Sequence, residues 1–231
     1  MQPPPHDTYP GTTVLVNRLD LRDQAALTAA ESRLTALRRS TLRLTPAQLE
    51  QPAGLAEAHR HLFQDVYPWA GEHRRVQLAK AQRFLPAELV PGALRDAFAG
   101  LREALPPRDL DAIRSVAGSD PGLAAAAFAE RVSRTVASLN YTHPFREGNG
   151  RAVRGFVDQL TRTAGLELDE RKLDRSEWIR ASIESTQSIR NLDRLEGQLR
   201  VALVPVQRSR EVQRETRIHT RPARGREDLE R

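Results

Sequence analysis

The sequence predicts a mainly α-helical bundle interrupted by one small β-hairpin. Three observations carry that prediction. Apolar residues recur at helical spacing along most of the chain, and nearly every such stretch is bounded by Pro, Gly or a capping Ser, Thr or Asp. A single short segment, 72–84, switches to a period of two. With 231 residues the chain can bury one good-sized core and hardly two. Aromatic residues make up only 5%, so leucine, alanine and valine must build that core.

Taken in order, residues 1–18 are Pro-rich and turn-like at Tyr9-Pro10-Gly11, an extended lead-in. From Leu19 to Arg39 a helical stripe runs through Leu21, Ala25, Leu27, Ala30, Leu34 and Leu37. Thr45 caps a second helix reaching Gln51, with Pro46 in its first turn. A third spans Gly54 to Val66 and stops at Tyr67-Pro68-Trp69-Ala70-Gly71. In the segment 72–84, His73, Arg75 and Gln77 alternate with Val76 and Leu78, the mark of an extended hairpin. Helices resume over 86–105 and 108–117, separated by Pro106-Pro107. Ser119-Asp120-Pro121 opens an Ala-rich helix to Leu139 whose stripe holds Leu123, Phe128, Val132 and Val136. A Gly-containing loop leads to a helix over 151–163, and further helices cover 174–189 and 192–203, where Pro205 ends regular structure. The domain thus covers 19–204. Residues 205–231, rich in Arg, Glu and Gln, read as a solvated helical extension or disordered tail.

Composition narrows the function classes. There is no cysteine, which excludes disulfides and thiolate metal sites. No apolar run approaches the roughly 20 residues needed to cross a bilayer, and Met1 to Pro10 lacks the pattern of a signal peptide. The expected location is the cytoplasm, with export as an effector the alternative. The net charge is +6 and is carried almost wholly by arginine, Lys80 and Lys172 being the two lysines. That balance fits a nucleotide, a nucleic acid or an acidic protein partner, and equally a genome rich in arginine codons. Trp69 and Trp178 read as partly buried core residues. His59 and His61 are two apart, do not share a helical face, and make a poor metal pair.

Chemistry concentrates in the stretch 143–154, which reads His143-Pro144-Phe145-Arg146-Glu147-Gly148-Asn149-Gly150-Arg151-Ala152-Val153-Arg154. Gly148 and Gly150 let the backbone approach a ligand closely. Their amides fall at a helix N-terminus, where unpaired N–H groups and the positive dipole end bind anions such as phosphate. Arg151 and Arg154 are three apart on one helical face and can fork onto phosphate oxygens. Glu147 brings a hard carboxylate suited to Mg²⁺, and histidine is mostly neutral near pH 7 and able to take a proton. Each feature alone is ordinary; a base, a metal carboxylate, an anion cradle and two arginines in one contiguous order make a phosphoryl- or nucleotidyl-transfer site.

That order resembles the signature of the Fic family, H-P-F-x-D/E-G-N-G-R-x-x-R, at every specified position. Leu62 to Gly71 resembles the lead into the family's flap and residues 72–84 the flap itself, so the likeness covers roughly 19–204. Tyr9-Pro10-Gly11 and Asn17 resemble the bacterial toxin and secreted-effector branch.

The resemblance implies a Fic-fold helical bundle with a hairpin flap beside the active site, and transfer of AMP from ATP to a hydroxyl side chain (Tyr, Thr or Ser) of a target protein. It implies that His143 is the general base and that Glu147 holds Mg²⁺. The amides of Gly148, Asn149 and Gly150 cradle the phosphates, helped by the Asn149 side chain, and Arg151 and Arg154 hold the β- and γ-phosphates. Phe145 points inward to anchor the loop. The flap docks the target by strand addition, with Lys80, Arg83 and Phe84 as residues to test.

Many family members carry an inhibitory S/T-x-x-x-E-G/N helix whose Glu pairs with the second motif arginine. Here Glu is followed by Gly only at Glu147 and Glu196 and never by Asn; the first lies in the active loop, and the second has Leu192 where Ser or Thr is required. The expectation is therefore a small antitoxin-type inhibitor acting in trans through Arg154, or no such restraint. Neither a membrane nor a nucleic acid is an expected partner. The competing readings are a Fic-fold transferase with another donor group (phosphate, UMP or phosphocholine) and a non-enzymatic, nucleotide- or DNA-associated regulator.

Overall fold

Caps and prolines decide where the helices begin in the computed structural model, which describes residues 7–78, 84–187 and 192–206. Helix α1 (Gln24–Thr41) starts at Asp23, whose carboxylate accepts from the Ala26 amide at 2.8 Å. It starts later than the apolar stripe suggests because the preceding residues fold around Asn17. The buried Asn17 amide donates to the carbonyls of Leu15 and Leu21 and accepts from the amides of Leu19 and Leu21, holding them out of a helix. A capping box of Thr45 and Gln48 opens α2 (Pro46–Leu49), and Pro52 opens α3 (Pro52–Phe63). The two helices meet so closely that a Cβ on Gly54 would lie 2.0 Å from the Gln48 carbonyl oxygen.

The remaining elements are α4 (Val90–Ala104), α5 (Pro107–Val116), α6 (Pro121–Thr142), α7 (Asn149–Thr163), β1 (Leu166–Leu168), α8 (Arg175–Gln187), α9 (Asp193–Ala202) and β2 (Leu203–Pro205). Helix α6 is the axis of the bundle. It buries Ala124, Ala125, Phe128, Ala129, Val132, Val136 and Leu139, and its neighbours are α4, α5, α7, α8 and α9. The alanines let several helices approach one axis, and Phe98, Phe128 and Phe156 fill the space between them. A second, smaller core (Val14, Leu15, Leu27, Leu62, Phe63, Val66 and Tyr67) sits where the lead-in, α1 and α3 meet. Helix α3 joins the two by packing on α7 from one side and α1 from the other.

The fold is mainly α, as the sequence predicts, with one two-stranded sheet among the described residues. That sheet lies where no strand is expected: β1 and β2 pair antiparallel, Leu166 opposite Pro205 and Leu168 opposite Leu203. In the proposed flap, residues 72–78 and 84–85 are irregular, with no strand ladder among the described residues. Their two ends are tied by Gln77 Nε2, which donates to the Phe84 carbonyl at 3.0 Å. Residues 79–83, with Lys80 and Arg83, lie outside the described residues, as do 188–191 at the end of the expected 174–189 helix and the tail 207–231. Among the described residues no helix is long and apolar enough to cross a membrane. Trp178 is buried in the main core, and Trp69 is half-buried beside the smaller one.

Candidate active site

Two helix ends converge on the segment 143–154. Helix α6 terminates at His143, which takes the left-handed conformation (φ 45°) and donates its amide to the Leu139 carbonyl at 3.0 Å. Helix α7 starts after Gly148, also left-handed (φ 81°). The half-buried His143 and the first turn of α7 therefore face one another across a five-residue loop. The first-turn amides of α7 have no intrahelical acceptor, an arrangement able to bind an anion.

The loop is fixed from inside. Phe145 is fully buried, as expected of a loop anchor. Asn149 is buried as well, and its side chain spans the loop: Oδ1 accepts from the Phe145 amide at 2.8 Å and Nδ2 donates to the Phe145 carbonyl at 2.7 Å. That side chain is engaged in shaping the backbone of the loop. The Glu147 carboxylate accepts from the Gly148 amide at 2.9 Å, which holds it at the mouth of the helix. At His143, Nδ1 lies 3.3 Å from the Asn140 carbonyl. A carbonyl can only accept, so this contact puts the neutral ring's proton on Nδ1 and makes Nε2 its proton acceptor.

Both motif arginines meet carboxylates brought from distant parts of the chain. Arg151 Nη2 donates to Glu31 Oε2 at 2.6 Å, and its guanidinium lies 4.7 Å above the Phe63 ring. Glu31 is buried and also accepts a short hydrogen bond from Tyr67; burial and that carboxylate together push the Tyr67 phenol upward. Arg154 Nε donates to Glu170 Oε1 at 2.7 Å, and Arg39 Nη1 reaches the same oxygen at 2.6 Å. Burial lowers the Arg154 pKa, and Glu170 acts against that shift. Glu170 takes the Nε edge, and Arg154 Nη1 lies about 3.4 Å from where a Cβ on Gly150, in the first turn of α7, would stand. Sequence spacing brings Glu147, Arg151 and Arg154 together and says nothing of Glu31 or Glu170.

Two further residues shape the site: Phe84, which the flap resemblance marks as a residue to test, and His59, whose spacing to His61 says nothing of this role. Phe84 stacks on His143 with ring centroids 3.9 Å apart and an interplanar angle of 16°. His59, fully buried, lies between Phe145 (3.9 Å) and Phe63 (4.7 Å). Its Nδ1 accepts from the Gly71 amide at 2.8 Å, so Nε2 carries the proton and donates to the Glu147 carbonyl at 3.0 Å. Burial drives the His59 pKa down to about 3, the bond to Glu147 opposing the shift.

A proton on Nδ1 would set N–H against the N–H of Gly71. Between pH 6.5 and 3 the unfolded chain therefore binds one proton more than the folded chain. Stability should fall by about 1.4 kcal/mol per pH unit as pH drops through that window. Chemical denaturation at several pH values should show this slope in the wild type, and His59→Gln should lack that component. Identical slopes in both would mean His59 is not held neutral.

The sequence model of the Fic/DOC family matches residues 50–161, which include the site from His59 to Arg154. A probable protein adenylyltransferase of Sinorhizobium fredii, y4lH, is 38% identical over 77% of this chain and 85% of its own length. The probable protein adenylyltransferase Fic of Escherichia coli is 33% identical over 75% of this chain and 80% of its own. Among solved structures, the BepC effector protein of Bartonella tribocorum with bound AMPPNP superposes with a TM-score of 0.69 at 22% identity, covering 87% of this chain and 98% of that one. With that identity, that coverage and the intact 143–154 signature, this chain is a member of the Fic/DOC family.

Proposed function

We propose that this protein is a protein adenylyltransferase that moves AMP from ATP to a hydroxyl side chain, Tyr, Thr or Ser, of a target protein. The observation that carries the proposal is the convergence at one loop: the His143 ring, the first turn of α7, and the Arg151 and Arg154 guanidiniums behind it. The relatives' names, protein adenylyltransferase, support the same reading.

In this reading His143 Nε2 takes the proton of the target hydroxyl as its oxygen attacks the α-phosphorus of ATP. An oxygen–phosphorus bond forms, the bond from the α-phosphorus to the bridging oxygen breaks, and pyrophosphate leaves. The amides at Gly148, Asn149 and Gly150 receive the phosphates, and the guanidiniums of Arg151 and Arg154 bind the β and γ groups. No cluster of three or more acidic or histidine side chains able to hold a metal occurs among the described residues. A single carboxylate, Glu147, at an anion-binding helix end suits Mg²⁺ arriving with the nucleotide, since Mg²⁺ takes one or two carboxylates plus phosphate oxygens. When bound it would neutralise charge on the departing pyrophosphate.

The target would dock at the 72–84 segment, which leads directly to Phe84 on the face of His143. A small inhibitor in trans, contacting Arg154, is the partner this reading adds, with the cytoplasm as the place of action. The test is label transfer from α-labelled ATP to proteins of a bacterial lysate with purified protein and Mg²⁺. A discrete labelled band supports AMP transfer. Label from γ-labelled ATP in its place would make the enzyme a kinase and overturn the assignment.

A further inference from the structure

Arg74 is a buried cation, 5% exposed, with no carboxylate bonded to it among the described residues. Its guanidinium instead gathers four backbone carbonyls. Nε donates to His143 O at 2.8 Å, Nη1 to Val76 O at 2.9 Å, and Nη2 to Thr142 O at 3.2 Å and, at short range, to Leu85 O. Its own amide donates to Pro144 O at 2.8 Å. One side chain thus holds the last residue of α6, the residue after it, and both ends of the 76–85 segment.

Burying a cation with no bonded carboxylate is costly, Glu88 acting on it only at a distance, and here the gain is specific. Thr142 and His143 end a 22-residue helix, where carbonyls are unsatisfied and the dipole is negative, so a cation is favoured there. His143 is also one of only two non-glycine residues at positive φ among the described residues. For an L side chain that conformation costs about 1–2 kcal/mol and persists only where neighbours enforce it. The Arg74 bond to the His143 carbonyl is such an enforcement, and it sets the direction in which the imidazole leaves the backbone. Lysine could not do the same: a single ammonium cannot span carbonyls on three segments as the planar fork does.

We propose that Arg74 is the positioning residue of His143, locking its left-handed backbone and tying it to the base of the target-docking segment, so that the imidazole and the docked hydroxyl keep a fixed relation. The proposal rests on His143 being the base of adenylyl transfer. Arg74→Lys keeps the charge and loses the fork; Arg74→Gln removes the buried charge and keeps two donors, so that one folded variant suffices.

Steady-state AMP transfer is expected to show kcat lowered by about 10–100-fold, the scale of a 1 Å misplacement. ATP affinity, measured by calorimetry, should stay at the wild-type value, because Asn149 and His59 hold the phosphate loop independently of Arg74. A second readout needs no activity: the His143 ring resonances and the exchange rate of its amide should change in both variants, while those of residues 149–152 do not. Gln77→Ala, which cuts the other tie across the segment, should leave the His143 signals as they are. A folded variant with wild-type kcat and unchanged His143 signals would overturn the proposal, as would ATP affinity falling in step with kcat. If the wild type transferred no AMP while the variants still altered the His143 signals, adenylyl transfer would fail and the positioning role would stand.

Discussion

Replacing His143 with alanine is expected to abolish AMP transfer, by about 10²–10⁴-fold in kcat, while ATP still binds. The split follows from how the site is assembled. The proposed anion cradle is the first turn of α7, braced by Asn149 on Phe145 and by His59 on the Glu147 carbonyl, and no part of that bracing passes through the His143 ring. The ring's own packing partner is Phe84. Losing it opens one face of a buried phenyl group and should lower the melting temperature modestly, which a thermal scan separates from the chemical effect. Calorimetric titration with ATP alongside single-turnover transfer would decide the matter. Transfer that survives the substitution would remove His143 from the mechanism and move the search for a base elsewhere.

Gly148→Ala should have the larger structural effect and should take nucleotide binding with it. A Cβ at this position would stand 2.3 Å from Phe63 Cζ, on a backbone at φ 81°. Phe63 cannot yield: it is fully buried, with His59 stacked against it and Arg151 above it. Left-handed strain of about 1 kcal/mol and overpacking of about 1–3 kcal/mol add to a loss of roughly 2–4 kcal/mol. For a chain of this size that lowers the melting temperature by roughly 5–15 °C. Relief by moving the loop would displace both the α7 amides and the Arg151 guanidinium. Gly197→Ala is the matched comparison, because its Cβ meets open space inside α9 and should raise stability by up to about 1 kcal/mol. Equal behaviour of the two variants would mean the close contact at Gly148 is not what shapes the loop.

How much of this could be read from the sequence divides along contact range. The residues proposed to face the nucleotide are contiguous, so one loop and one helix turn present His143, Glu147, Gly148, Arg151 and Arg154 together, and spacing alone is informative. The residues that hold them come from elsewhere: Glu31 is 120 positions from Arg151, His59 is 88 from Glu147, and Arg74 is 69 from His143. Each of these looks like an ordinary helix or loop residue until the fold juxtaposes it. Helix existence was legible because apolar periodicity accumulates over three or four turns. The β1–β2 pair was not, since three-residue strands carry too little alternation to register and the residues they join are 35 to 39 apart. The late start of α1 was hidden for a third reason: Leu19 and Leu21 continue the apolar stripe, but the Asn17 side chain captures their backbone groups first.

The β1–β2 pair also fixes where further sequence leaves the domain. The last backbone bond of the described chain runs from the Val206 amide to the Gly165 carbonyl at 3.0 Å, just past the C-terminal end of α7. The proposed phosphate loop lies at the other end of that 15-residue helix, about 22 Å away along its axis. A fluorophore, surface tether or second module joined after Val206 would thus start at the opposite end of α7 from the proposed nucleotide site. Immobilising the enzyme through that end should leave substrate access open, whereas attachment at the lead-in, where Asp7 pairs with Arg146 of the active loop, would crowd it.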